Sequence, residues 1–99
     1  MAELDVVALI PAKPGSEDVV RAALTTLAAA TQGHRGCLHY QLFESSAAPG
    51  TFVTVERWTA QEDLDAHMAT DDIATALSAA DGHLAGDVAL HPLRPVARS

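Results

Sequence analysis

Alternation of hydrophobic and polar positions marks the strands of this chain. Leu4–Ile10 is apolar on both faces and predicts a strand that is buried on both sides. Residues 37–45 and 51–58 alternate with a period of two, so each predicts a strand with two distinct faces. The turn between them ends in Pro-Gly and predicts an antiparallel hairpin. A last strand is predicted over residues 87–93, where Pro92 lacks a backbone donor and favours a sheet edge.

The first helix is predicted by apolar residues that recur every three or four positions after the first strand. Ser16 is the expected N-cap, and Gly33 is the expected left-handed residue at the end of the helix. The apolar stripe between them consists of Val20, Ala23, Leu24, Leu27 and Ala30. This stripe is expected to pack against the sheet.

Two further helices are predicted between the third and fourth strands. Thr59 and Glu62 have the spacing of a capping box, which indicates that a helix begins directly after the strand. Another amphipathic helix is expected to begin at residues 71–72 and to stop at Gly82, and its apolar positions are Ile73, Ala76, Leu77 and Ala80. The order β-α-β-β-α-α-β predicts an α+β fold, a ferredoxin-like sandwich with a four-stranded antiparallel sheet.

Helices on one side of an antiparallel sheet leave its other face uncovered, and here that face is apolar. Val53 and Val55 lie on this uncovered face together with every second residue of the first strand. Contiguous exposed apolar patches usually mark association sites. We therefore expect residues 1–99 to form one domain that pairs as a homodimer, sheet against sheet, in a dimeric α+β barrel with a two-fold axis.

Composition narrows the classes of partner and cofactor. A net charge of -7 argues against nucleic acid and anionic membrane surfaces as partners. The single cysteine, Cys37, excludes an internal disulfide and any multi-cysteine metal site, and no close-spaced histidine pair indicates another metal site. Neither a secretory signal nor an apolar run of about 20 residues is present, so we expect a cytoplasmic protein. Since dinucleotide, phosphate-loop and nucleophile-elbow motifs are also missing, no cofactor is expected.

The candidate chemistry lies around the end of the third strand. Glu56 and Trp58 share one face of that strand, and His67 follows on the short helix. An imidazole with a reference pKa of about 6.5 is a suitable base near neutral pH. Each residue also has a structural interpretation: Trp58 as core packing, His67 as a hydrogen-bonded joint between strand and helix, and Glu56 as a structural acceptor.

Three segments together resemble the antibiotic biosynthesis monooxygenase family of small dimeric α+β barrel proteins. They are Gly-Cys-Leu-His-Tyr at 36–40, Glu-Arg-Trp at 56–58, and Leu-Asp-Ala-His-Met at 64–68. The family includes cofactor-independent oxygenases of anthrone-like polyketides, quinol monooxygenases, haem-degrading members and a signal-molecule isomerase. Haem breakdown is disfavoured because Leu77 stands where those members have the iron-binding histidine.

The resemblance implies a monooxygenase that oxidises a small aromatic, quinol or polyketide-like substrate with O₂. Such an enzyme needs an apolar cavity with a flat wall, a base, and donors for the developing oxyanion. We assign His67 as the base and Trp58 as the wall, and expect Tyr40, His39, Glu56 and Thr54 to bind the substrate. Thr54 stands where the polyketide oxygenases have an asparagine. Two alternatives stay open: a non-catalytic small-ligand-binding barrel, and an isomerase of a small hydroxy-carbonyl compound.

Overall fold

Four antiparallel strands and three helices build the fold, in a computed structural model that describes residues 3–97. Met1, Ala2, Arg98 and Ser99 lie outside the described residues. The strands form one sheet in the order β2-β3-β1-β4, which confirms the predicted α+β, ferredoxin-like architecture. No helix within residues 3–97 is both long and apolar enough to cross a membrane. The elements are β1 Leu4–Pro11, α1 Glu17–Thr31, β2 Cys37–Glu44, β3 Thr51–Trp58, α2 Gln61–Met68, α3 Asp71–Ala80 and β4 Ala89–Leu93.

The two faces of the sheet differ sharply in burial. The helices cover the inner face, where the side chains of β3 that were predicted to share one face are all buried. On the outer face Leu9 of β1 is 38% exposed and Val55 of β3 is 39% exposed. The prediction that β1 is buried on both sides is therefore wrong for a single chain, because no element of the described chain covers the outer face.

The ends of α1 differ from the predicted pattern. Ser16 occupies the N-cap position, but its hydroxyl lies 3.0 Å from Nδ1 of His83 and bonds no helix amide. Gly33 does not adopt a left-handed conformation, because the chain leaves α1 through two further turns in which Gly33 and His34 donate to carbonyls of the last helical turn. The left-handed residue comes later, at Gly36, where φ is 76°.

The predicted capping box at the start of α2 is absent. Ala60 is the N-cap of α2, and the hydroxyl of Thr59 instead bonds the carboxylate of Asp63. The next helix has the side-chain cap, since Thr70 accepts a hydrogen bond from the amide of Ile73 at 3.3 Å. On α3, Leu77 is 52% exposed rather than buried.

The two edge strands, β2 and β4, each differ in one respect from the predicted pattern. β4 is an edge strand, as Pro92 predicted, and it begins at Ala89 rather than at residue 87. In β2 the pairing with β3 shifts by one residue between Cys37 and His39, which is a β-bulge. Cys37 was predicted to share a face with His39, but the bulge turns it inward against Trp58.

Candidate functional site

Glu56 lies at the centre of the inner face, and both of its carboxylate oxygens are occupied. Nε1 of Trp58 donates to Oε1 at 3.0 Å, and the hydroxyl of Thr54 donates to Oε2 at 2.6 Å. Burial raises the pKa of Glu56, while these two hydrogen bonds oppose the rise by stabilising the charged form. Glu56 thus has the contacts of a structural acceptor that holds the inner face of β3 together.

His67 of α2 is 3% exposed and packs between two aromatic side chains. Its ring centroid lies 4.7 Å from the Trp58 ring and 5.7 Å from the Tyr40 ring. Burial and, to a smaller extent, the neighbouring His34 lower the pKa of His67 to about 4, while Asp72 acts in the opposite direction. At neutral pH the imidazole of His67 is therefore uncharged and able to accept a proton.

The contact of His67 with His34 was not predicted from the sequence. Nδ1 of His34 lies 2.8 Å from Nδ1 of His67, and Nε2 of His34 lies 2.8 Å from a carboxylate oxygen of Asp72. From the sequence His34 is one of two histidines that follow a glycine after a helix, a position usually explained by the negative helix end. His34 lies 33 residues from His67 and 38 from Asp72, so no local spacing could have indicated the cluster.

A small cavity lies between the inner face of the sheet and the helices. Its volume is about 80 Å³, and its walls are mainly aliphatic. The polar side chains that line it are Tyr40, Thr54, Glu56 and His67, and no lysine or arginine of the described chain lines it. Ligand sites usually exceed about 300 Å³. An aromatic substrate therefore requires the cavity to open.

The cavity has a partly exposed wall where such an opening can occur. Met68 of α2 and Leu77 of α3 both line the cavity and are 41% and 52% exposed, respectively. Side chains with this exposure can change rotamer without breaking the core. A substrate can thus enlarge the cavity from this side.

Tyr40 presents a phenol to the same cavity. Burial, together with the nearby Glu56 carboxylate, raises the pKa of Tyr40 well above its usual value. The hydroxyl therefore stays protonated at neutral pH and can donate a hydrogen bond to a bound oxygen atom. Tyr40, which was predicted to bind the substrate, thus lies at the cavity.

Two of the predicted site residues do not line the cavity. Trp58 was predicted to form the flat wall of the cavity, but its fully buried ring lies in a separate core cluster, behind Glu56 and His67. His39 pairs with Arg57 on the outer face of the sheet, because the register of the hairpin gives Tyr40 the inward position opposite Glu56. The structure thus brings Tyr40, Thr54, Glu56 and His67 to one cavity, supports them with Trp58, and leaves His39 on the opposite face.

This chain is similar to known proteins over nearly its whole length. Residues 4–88 match the family model described as antibiotic biosynthesis monooxygenase. A crystal structure of an antibiotic biosynthesis monooxygenase is 30% identical, with a TM-score of 0.87, over 95% of this chain and 99% of that chain. No curated protein matches.

Two further solved structures have the same fold at similar identity. The Rv0793 protein of Mycobacterium tuberculosis is 26% identical, with a TM-score of 0.87, over 99% of both chains. The PA3566 protein of Pseudomonas aeruginosa is 25% identical, with a TM-score of 0.88, over 98% of this chain and 97% of that chain. The similarity therefore includes every strand and helix described above.

Proposed function

This chain belongs to the antibiotic biosynthesis monooxygenase family, and we propose that it is a cofactor-independent monooxygenase that oxidises a small, neutral aromatic, quinol or polyketide-like substrate with O₂. The observation that carries the proposal is the pairing of His67, an uncharged imidazole, with the phenol of Tyr40 at one apolar cavity. One group accepts a proton and the other donates a hydrogen bond to the resulting oxyanion.

The proposed reaction begins when His67 removes a proton from the substrate. The substrate anion transfers one electron to O₂, and the radical pair combines to a peroxide on a carbon that still carries hydrogen. The peroxide takes the proton back, and loss of water leaves a carbonyl. One O₂ is consumed and one carbonyl and one water are formed. The enzyme supplies the base and the oxyanion donor, while the substrate supplies all the electrons.

The charges around the cavity support a neutral substrate. No cationic side chain of the described residues lines it, and the buried carboxylate of Glu56 does. A phosphate or carboxylate on the substrate would lose its hydration without gaining a counter-ion. We therefore propose a hydroxyaromatic compound without an anionic group.

The same cavity supports two alternatives. The first is an isomerase of a neutral hydroxy-carbonyl compound, which would need a base at the cavity but would not need O₂. The volume of about 80 Å³ favours a binding protein for a small ligand over an enzyme acting on a tricyclic substrate. Both alternatives use His67 and Tyr40, and they differ from the monooxygenase in whether O₂ is consumed.

We also propose that the functional form is a homodimer joined through the outer face of the sheet. Several large apolar side chains lie on or beside that face and are exposed in the single chain: Leu9, Leu38, Phe43 and Val55. Burying such a patch against a second copy removes apolar area from water at about 25 cal/mol per Å². A two-fold axis presents the same patch from both copies.

The direct test measures O₂ uptake with a panel of hydroquinones, naphthols and anthrones. We expect uptake with at least one substrate, one carbonyl product per O₂, and loss of the rate by roughly 10²-fold in His67→Gln. His83→Gln is the matched control, because His83 bonds Ser16 away from the cavity. Absence of uptake above background, or a rate that His67→Gln leaves unchanged, contradicts the proposal.

The same panel separates the alternatives. Thermal stabilisation by a compound that is never converted indicates a binding protein. Conversion that continues under anaerobic conditions indicates the isomerase.

A further inference from the structure

His67, His34 and Asp72 form a continuous chain of hydrogen bonds from the cavity to the surface. The chain runs from His67 at the cavity, through His34, whose side chain is 13% exposed, to Asp72, whose side chain is 49% exposed. Its members come from three places: α2, the loop after α1, and the first turn of α3. Both links measure 2.8 Å, which is the length of a well-formed hydrogen bond.

The positions of the hydrogen atoms along these hydrogen bonds follow from which side-chain atoms can donate. An ionised carboxylate only accepts, so Nε2 of His34 carries the hydrogen that is shared with Asp72. In an uncharged His34 the Nδ1 atom is then an acceptor, and Nδ1 of His67 must be the donor. The lone pair of His67 therefore lies on Nε2.

The other ring nitrogen of His67, Nε2, is not enclosed in the core. No buried side-chain nitrogen or oxygen of residues 3–97 lacks a hydrogen-bond partner. Only Nδ1 of His67 has a protein partner, so Nε2 is not sealed within the core. Because the His67 side chain lines the cavity, we infer that this accessible nitrogen is the one that a substrate meets.

We propose that His34 and Asp72 are positioning residues that fix the tautomer of His67 and relay its proton between the cavity and the surface. The catalytic consequence rests on the function proposed above. The tautomer itself does not depend on that function.

The relay moves one proton in two transfers. A substrate proton passes to Nε2 of His67 while the Nδ1 proton of His67 passes to Nδ1 of His34. The positive charge then lies on His34, beside the carboxylate of Asp72, and His67 is again uncharged. Running the two transfers in reverse returns the proton to the peroxide, so no proton is gained or lost over the cycle.

This arrangement explains how a buried imidazole can serve as a base. A charge on His67 itself would be poorly solvated, and burial lowers the pKa of that ring accordingly. The other titratable groups at the cavity, Tyr40 and Glu56, cannot compensate well: one is a neutral phenol, and both oxygens of the other are occupied. Transfer to His34 places the charge next to an acidic side chain that is half exposed.

Two substitutions at His34 separate positioning from relay. In His34→Asn the amide oxygen can take the place of Nδ1 and accept from His67, but the side chain cannot carry a proton. His34→Ala removes both properties. His83→Asn is the matched control, since His83 also follows a glycine after a helix and also bonds through Nδ1.

The first measurement is independent of activity. Nitrogen-15 NMR of the imidazole rings at neutral pH is expected to place the proton of His67 on Nδ1 and that of His34 on Nε2. His34→Asn should keep the His67 tautomer, and His34→Ala should give a mixture of tautomers. A His67 ring protonated on Nε2 in the unmodified protein would overturn the inference, whereas the proposed function is decided separately by O₂ uptake.

The second measurement uses a substrate found by O₂ uptake. We expect His34→Asn and Asp72→Asn to lower kcat by about tenfold or more, without changing KM, because neither residue contacts the substrate. His83→Asn should leave both constants unchanged. A merely structural role would leave the kcat of His34→Asn at the level of the unmodified protein, and that result would also overturn the relay.

Discussion

Trp58 donates its indole hydrogen to Glu56, two residues earlier on the same inner face of β3, at 3.0 Å. Thr54, two residues earlier again, donates to the other carboxylate oxygen. Three consecutive inward positions are therefore linked along one strand, in addition to the backbone pairing between strands. This side-chain ladder satisfies a buried carboxylate and fixes the surface on which His67 packs.

Breaking the ladder should destabilise the fold. In Glu56→Leu the side chain keeps a similar size but has no acceptor, so the indole hydrogen of Trp58 loses its partner in the core. We expect a loss of about 1–3 kcal/mol in the free energy of unfolding, measured with urea. Glu62→Leu, at an exposed position of α2, should change it little. Equal stability of the two variants would show that the ladder contributes nothing.

The stability of the protein should depend on pH through His67. Its folded pKa of about 4 lies below the ordinary histidine value of 6.5, so the unfolded chain binds the proton more readily. Stability should therefore be complete above about pH 6.5 and should decline as the pH falls toward 4, by an amount of the order of 3 kcal/mol. His67→Gln should flatten this part of the curve, whereas His83→Gln should retain it. Parallel curves for all three proteins would rule out His67 as the cause.

Gly36 should resist substitution for two separable reasons. Its φ of 76° favours glycine, and a Cβ atom there would collide with the Asp63 side chain. Gly15, with φ of 88° and no atom within 4 Å of the added Cβ, is the matched control. Gly15→Ala should lose about 1 kcal/mol, and Gly36→Ala clearly more, in urea denaturation. Similar losses would mean that Asp63 moves aside freely.

The outer face should control assembly. Val55→Glu places a charge in the apolar patch, whereas Val19→Glu makes the same change on the exposed side of α1, where Val19 is 42% exposed. In sedimentation velocity at micromolar concentration we expect a dimer for the unmodified protein and Val19→Glu, and a monomer for Val55→Glu. A monomeric unmodified protein would contradict the proposed dimer.

Leu77 and Leu24 both line the cavity but should respond differently to truncation. Leu77 is mainly exposed, so Leu77→Ala should cost less than about 1 kcal/mol and should admit larger substrates. Leu24 is buried, and Leu24→Ala should cost about 2–5 kcal/mol. Melting curves and the substrate panel measure the two effects. A large loss for Leu77→Ala would show that this side of the cavity is core.

Much of the inner face was predictable because a strand has a period of two. That period alone placed Glu56, Trp58 and Thr54 on one buried face, and the loop after β3 placed His67 above them. The period does not say which residue of a face reaches a cavity. Trp58 fills the core behind His67, and how deeply its ring is buried depends on how the other elements pack.

The partners of His67 were not predictable from local pattern. His34 and Asp72 lie in other elements, and they meet His67 only because α1 and α3 pack side by side. The capping box failed for a related reason: Thr59 has the right spacing, but Asp63 offers its hydroxyl a better acceptor in the folded chain. Side-chain preferences describe what a segment can do alone, and tertiary contacts decide between the options.

The bulge in β2 has a consequence for how the fold can vary. The hairpin sets the pairing of residues 39–44 with β3, so Tyr40 stands opposite Glu56 whatever precedes it, and the bulge alters only which residue faces Trp58. Loss of the extra residue would change the neighbour of Trp58 and leave the phenol in its place. The entrance of this strand can therefore gain or lose a residue during evolution while the cavity keeps its polar groups.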